Sequence, residues 1–189
     1  NMLELALDRV LVDFDGLVVG TEADNFSAGA NLFMVVMLAQ SQAWDQLEAA
    51  VRKMQGIDQR MRYFPKPVVM APAGLALGGG AEIVMHGSRV VSAAELYVGL
   101  VEVGAGVIPA GCGTKEMLRR ILNPPMRTQN AEALPFLQRI FEQVGMAKVA
   151  TSAEEARQFG FLGSCDRVVL NRSHLMAEAK KEALHMVAT

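Results

Sequence analysis

Cysteine is scarce: Cys112 and Cys165 are the only two in 189 residues. Their separation fits no metal-ligand spacing, and a chain of this length needs no disulfide framework. No metal site is expected, and a reducing, cytoplasmic setting is. An excess of charge of one sign is also missing. Eighteen basic residues against 20 acidic ones give a formal net charge of -2. That balance excludes the basic footprint of a protein that grips nucleic acid or an anionic membrane. Long hydrophobic runs are absent as well. The most apolar stretch, LFMVVMLA at residues 32–39, falls far short of the ~20 residues a membrane span needs, and it is expected to be a buried helix end. The opening NMLELALDRV carries Glu4 and Asp8 and does not read as a secretory signal. There is no low-complexity segment and no fixed-period repeat that would suggest a solenoid.

What is present is a hydrophobic content of 51%, enough for one domain with a sizeable core. Leu3 to Val12 is amphipathic, and Leu17 to Val19 reads as a buried strand between Gly16 and Gly20. From Asn31 to about Tyr63 the spacing is helical with a break expected near Gly56, and Pro65 and Pro67 end it. KPVVMAPAG reads as a strand, residues from about Ala81 to His86 as a helix, RVVSAAELYVGL as two short strands, and KEMLRRIL as a helix. NPPMRTQN is expected to interrupt the pattern, and the last sixty residues read as mostly helical. Within them SAEEARQFG is a helix signature, with Ser152 as N-cap, Glu155 as capping-box partner and Gly160 as stop. Strands alternating with helices argue for an α/β architecture.

The glycines carry the chemistry. Gly78-Gly79-Gly80 directly precede a helix that holds Glu82. A helix N-terminus offers unpaired N–H groups and a partial positive charge, and glycine lets a ligand atom come close to them. A tight strand-to-helix turn would use the same residues. A P-loop needs Lys-Ser/Thr after its last glycine, where this chain has Ala81-Glu82. Gly104-Ala105-Gly106 is followed by Val-Ile-Pro109, a poor dinucleotide fingerprint. A second glycine turn, FSAGAN at 26–31, could supply another free N–H, and two such donors on one oxygen would form an oxyanion hole.

FSAGAN, KPVVMAPAGLALGGGAEIVMH and YVGLVEVGAGVIPAGCGT, in this order over roughly residues 16–122, resemble the three signature blocks of the crotonase (enoyl-CoA hydratase/isomerase) superfamily. The variants of these blocks and the tail MAKVATSAEEARQFGFL are most similar to the hydratase part of bacterial bifunctional 3-hydroxyacyl-CoA dehydrogenase/enoyl-CoA hydratase chains. The resemblance implies a ClpP/crotonase spiral of ββα units with a helical C-terminal region. It would form a single domain over 1–189, with a spiral core at 1–125 and a mainly helical part at 126–189. The implied substrate is an acyl-CoA thioester, hydrated in fatty-acid β-oxidation, with assembly as a homotrimer or against a dehydrogenase domain. No cofactor is expected here, and NAD only in a dehydrogenase domain elsewhere.

Carried over by motif position, the oxyanion donors are the backbone N–H groups of Ala30 and Gly79, and Ala28, Gly78 and Pro109 contact the substrate. Glu82 would be the base toward water and Glu102 the acid toward the α-carbon, because hydration needs one proton taken and another delivered. Outside the resemblance, each reads as an ordinary solvated carboxylate. His86 reads as packed or hydrogen-bonded, and His174 and His185 as part of a charged C-terminal helix. The chain departs from the family pattern at Asn31, where Asp is usual, and at Phe33, where Lys is common. It also departs at Cys112 and at Gly87-Ser88. It begins almost at the first helix, without the family's N-terminal hairpin, as expected of a piece excised from a longer polypeptide. Three other readings remain: an enoyl-CoA isomerase of the same fold, a catalytically silent crotonase-like scaffold, and an NAD-binding domain.

Overall fold

The computed structural model describes residues 2–188. The elements are α1 (Met2–Asp13), β1 (Leu17–Gly20), α2 (Leu32–Gln40), α3 (Trp44–Arg62), β2 (Val68–Ala71), β3 (Gly74–Leu77), α4 (Gly79–His86), β4 (Arg89–Ala93), β5 (Leu96–Gly99), α5 (Gly113–Met117), α6 (Asn123–Gln129), α7 (Leu134–Gly145), α8 (Ala153–Phe159), β6 (Arg167–Val169) and α9 (Leu175–Ala188). A parallel four-stranded sheet runs β1-β2-β4-β6, and a parallel pair joins β3 to β5. Two successive β-β-α units, β2-β3-α4 and β4-β5-α5, build the centre.

Strand periodicity decides what lies on each side of the larger sheet. In β2, Val68 and Met70 belong to the main core, while Val69 and Ala71 face the other way, onto Leu175, Ala179 and Ala183 of α9. β4 alternates likewise, with Val90 in the main core and Val91 and Ala93 under α9. Both faces are covered, so these strands read as continuous apolar runs. None of the described helices is long and apolar enough to cross a membrane.

Several local expectations need correction. The helical stretch breaks at 41–43, where Ser41 caps α2 and Gln42 has a φ of 55°, and Gly56 sits inside α3 with open space around it. The run 32–39 is not a buried helix end: Phe33 is 72% exposed, and no residue of α2 is buried. Residues 123–129 continue the helix. Pro124 and Pro125 occupy the first turn of α6, where missing N–H groups cost nothing, after a wide π-type turn at Leu118–Leu122. The C-terminal region contributes β6, paired with β4, and β3 is a strand of its own. At α8, Ser152 Oγ accepts from Glu155 N at 3.1 Å as expected. The Glu155 carboxyl, however, accepts from Thr151 N at 2.7 Å rather than from the N-cap amide.

A buried ionic cluster fixes the end of α4 to α3 and α5. Glu116 is fully buried and accepts from Arg62 at 2.7 Å and Arg119 at 2.9 Å. Arg62 and Arg120 both donate to Met85 O. Burial alone would raise the Glu116 carboxyl, but Arg62 and Arg119 outweigh it and hold it below the ordinary value. Glu116→Ala would strand buried guanidinium groups, and a loss of about 3 kcal/mol is expected in urea unfolding.

Candidate active site

The FSAGAN turn reaches α4 because it pairs with β3. Ser27 N donates to Leu75 O at 2.9 Å, and Leu77 N donates to Ser27 O at 2.9 Å. The ladder then stops: Gly29 N turns to Ser27 Oγ at 3.2 Å. Gly29 has a φ of +94°, and a Cβ there would lie 3.0 Å from Leu77 O and 3.7 Å from Gly79 N. Only glycine lets the two segments come this close. Beyond this junction, neither the Ala30 nor the Gly79 amide has a hydrogen-bond partner among the described residues. Both residues line one cavity of about 300 Å³.

Two carboxylates line the same cavity. Glu82, on α4, is 1% exposed, and its Oε1 accepts from Gly113 N at 2.8 Å. The loop before α5 wraps this carboxyl with glycine, and a Cβ on Gly113 would come 2.8 Å from Oε1. Burial raises the Glu82 carboxyl, and the Gly113 and Gly111 amides oppose the rise by favouring the anion. Glu102 opens a 3₁₀ turn, Glu102–Ala105, directly after β5. Its Oε1 lies 3.1 Å from where a Cβ on Gly78 would sit, and Gly78 has a φ of +53°. Glu102 Oε2 is buried without a partner among the described residues. Burial first, and then the charge of Glu82, push this carboxyl up to about 7 against the pull of its own backbone amide. Both carboxyls are thus raised by burial, but Glu82 receives two amides that favour its anion, whereas Glu102 has an unpartnered oxygen and the charge of Glu82 beside it.

Ala28 and Gly78 also line the cavity; Pro109 is buried beside it, and its neighbours Ile108 and Ala110 form the wall instead. The walls are otherwise largely apolar, with Leu47, Val51 and Met54 presented by one stripe of α3. His86 is buried, its Nδ1 lies 2.7 Å from Glu82 O, and burial lowers it to about 4, leaving it neutral. Asn31 caps α2, accepting from Met34 N at 3.3 Å. Asp58 escapes a reading of the sequence alone. It is fully buried beside the site, with neither oxygen hydrogen-bonded among the described residues. Its signal was an acid within the apolar stripe Met54, Ile57, Met61.

The family profile of enoyl-CoA hydratase/isomerase matches residues 15–126, which include all of these groups. The chain belongs to the enoyl-CoA hydratase/isomerase family. It is 37% identical over all 189 residues to the "Probable 3-hydroxyacyl-CoA dehydrogenase" of Bacillus subtilis (strain 168), and spans 23% of that protein. A "Probable enoyl-CoA hydratase" from the same organism is 33% identical over 105 residues, 56% of this chain and 40% of that one. Among solved structures, an enoyl-CoA hydratase from Polaromonas sp. JS666 superposes with a TM-score of 0.78 at 21% identity, over 98% of this chain and 65% of that one. One from Bacillus anthracis gives 0.76 at 23% identity, over 100% and 65%. The fold is thus the α/β crotonase fold of the enoyl-CoA hydratase/isomerase family.

Proposed function

We propose that the chain hydrates trans-2-enoyl-CoA thioesters. The observation that carries this reading is the arrival at one cavity of Glu82, Glu102 and the amides of Ala30 and Gly79, unpaired among the described residues, from three separate segments: the FSAGAN turn, α4 and the 3₁₀ turn after β5. The thioester carbonyl accepts from the two amides. Glu82 takes a proton from water, the hydroxyl oxygen bonds to the β-carbon, and the electron pair of the double bond moves to an enolate held by the amides. Glu102 then delivers its proton to the α-carbon, giving the 3-hydroxyacyl thioester. The two environments support these roles: amides stabilise the Glu82 anion, and Glu102, raised to about 7, keeps its proton.

A pH profile tests the assignment. Above about 7 Glu102 loses the proton that hydration requires, so kcat/KM for hydration is expected to fall about tenfold per pH unit beyond that point. Glu102→Gln is expected to lower the rate about 10²–10⁴-fold. Full hydration by this variant would defeat the two-carboxylate reading, whereas a wild type that shifts the double bond of an enoyl thioester without adding water would favour the isomerase reading, in which one carboxyl suffices. We also propose that the chain is a single hydratase domain working within a longer polypeptide. Its 3-hydroxyacyl product is what a 3-hydroxyacyl-CoA dehydrogenase would take, and NAD would belong to that other part. The match of all 189 residues to 23% of the length of the Bacillus subtilis "Probable 3-hydroxyacyl-CoA dehydrogenase" supports this.

A further inference from the structure

Asp58 lies on α3, on the wall of a second cavity of about 330 Å³ that shares Gly29, Ala30, Met54 and Gly79 with the first. Its carboxyl is fully buried, and neither oxygen has a hydrogen-bond partner among the described residues. The groups around it offer no dedicated counter-charge. From α4 it meets Glu82 and His86; the His86 Nδ1 is 4.0 Å from Asp58 Oδ2 but lies 2.7 Å from Glu82 O, and the ring is neutral. From α5 it meets Lys115 and Glu116, and Lys115 Nζ is engaged at 3.3 Å with both His86 Nε2 and Glu116 Oε1. On its own helix, Arg62 is held by Glu116 at 2.7 Å. Lys53 and Arg60 pair with Glu4 and Asp8 of α1 at 3.4 and 2.6 Å. Gln55 and Gln59 donate to Ala110 O and Cys112 Sγ.

A lone buried carboxylate in such a setting costs more than taking up a proton. Glu82 is its near neighbour. The point a Cβ would occupy on Gly111 lies 3.0 Å from Asp58 Oδ2 and closer still to Glu82 Oε2. Of the two, only Glu82 receives backbone amides, from Gly113 and Gly111.

We propose that Asp58 and Glu82 form a coupled pair that carries one negative charge at working pH, with the charge on Glu82 and the proton on Asp58. Asp58 is then a positioning residue that acts through Glu82, and this deepens the hydratase reading, on which it rests. Loss of its proton would bury a second charge beside the amides where the enolate must form, and so oppose the reaction. Burial, then the charge of Glu82 and, more weakly, that of Glu116, place this loss at about 8, against the opposing pull of Lys115.

The test uses two readouts on the wild type, Asp58→Asn and Glu82→Gln. In infrared-followed titration, the wild type is expected to show a protonated-carboxyl band that disappears near pH 8. That band is absent from Asp58→Asn and disappears at lower pH in Glu82→Gln, where the neighbouring charge is gone. In the pH–rate profile, wild-type kcat/KM is expected to steepen from about tenfold to about a hundredfold loss per pH unit above about 8, while Asp58→Asn keeps the shallower limb. Asp58→Leu, also neutral and apolar, serves the same comparison if the asparagine variant does not fold. A wild type without this band at pH 7, a band unmoved by Glu82→Gln, or a steep limb retained in Asp58→Asn would overturn the pair. A band that moves in Glu82→Gln, in a chain that hydrates no enoyl thioester, upholds the pair and overturns the hydratase reading instead.

Discussion

Glu82→Gln is expected to cut kcat/KM for hydration of a short trans-2-enoyl-CoA about 10²–10⁴-fold, the usual contribution of a positioned general base. The substitution keeps the shape of the side chain, and its amide oxygen can still accept from Gly113 N, the bond that Glu82 Oε1 makes at 2.8 Å. What it removes is the capacity to take a proton from water. Because burial disfavours the charged form of Glu82, the neutral variant is expected to unfold at the same temperature as the wild type or a higher one. Lost rate with retained stability is the signature to look for. A variant within about threefold of wild-type activity would show that water is activated elsewhere.

The second large effect concerns the amides. Gly79 is the first residue of α4, a position where proline keeps helical geometry and removes only an N–H with no intrahelical partner. A Cβ at Gly79 would approach the terminal methyl of Met54 at 2.7 Å, so the variant is best made with Met54→Ala, which clears the space. Relative to Met54→Ala alone, Gly79→Pro/Met54→Ala is expected to lose about 10²–10³ in kcat, the range for one oxyanion donor. The loss should fall on kcat more than on KM, since the enolate needs the donor more than the ground-state carbonyl does. A change in KM alone would mean that Gly79 only binds.

Local signals were enough for much of the fold. Short apolar runs and the turn residues beside them marked β1, β2, β4 and β5, and the Ser152 and Gly160 caps marked α8. β3 was hidden because its four residues lie between two glycine-containing turns and read as the exit of β2. β6 has three residues and exists only through its partner β4. The apolar run of α2 could not reveal its own exposure, because a helix apolar on every side carries no direction; here it lines the cavity with Leu32 and Val35 and leaves Phe33 outside. The proximity of Ala30 to Gly79 depends on the Ser27–Ala76 bridge between distant segments, which no local pattern encodes. Glu82 and Glu102 could be named from the glycine blocks around them. The ionisation of Asp58 depends on three helices meeting, and spacing does not record that.

In the proposed mechanism, two carboxyls and two amides in one cavity form a single hydration device. The measurement that tests it most directly follows the loss of the conjugated enoyl thioester on adding water, in the wild type, both single glutamine variants and the double variant Glu82→Gln/Glu102→Gln. The wild type is expected to turn over, and the double variant to be about as impaired as either single one, because groups that act in one step are not additive. A wild type that binds the thioester and never hydrates it would contradict the account. Single-variant losses that multiply in the double variant would contradict it too.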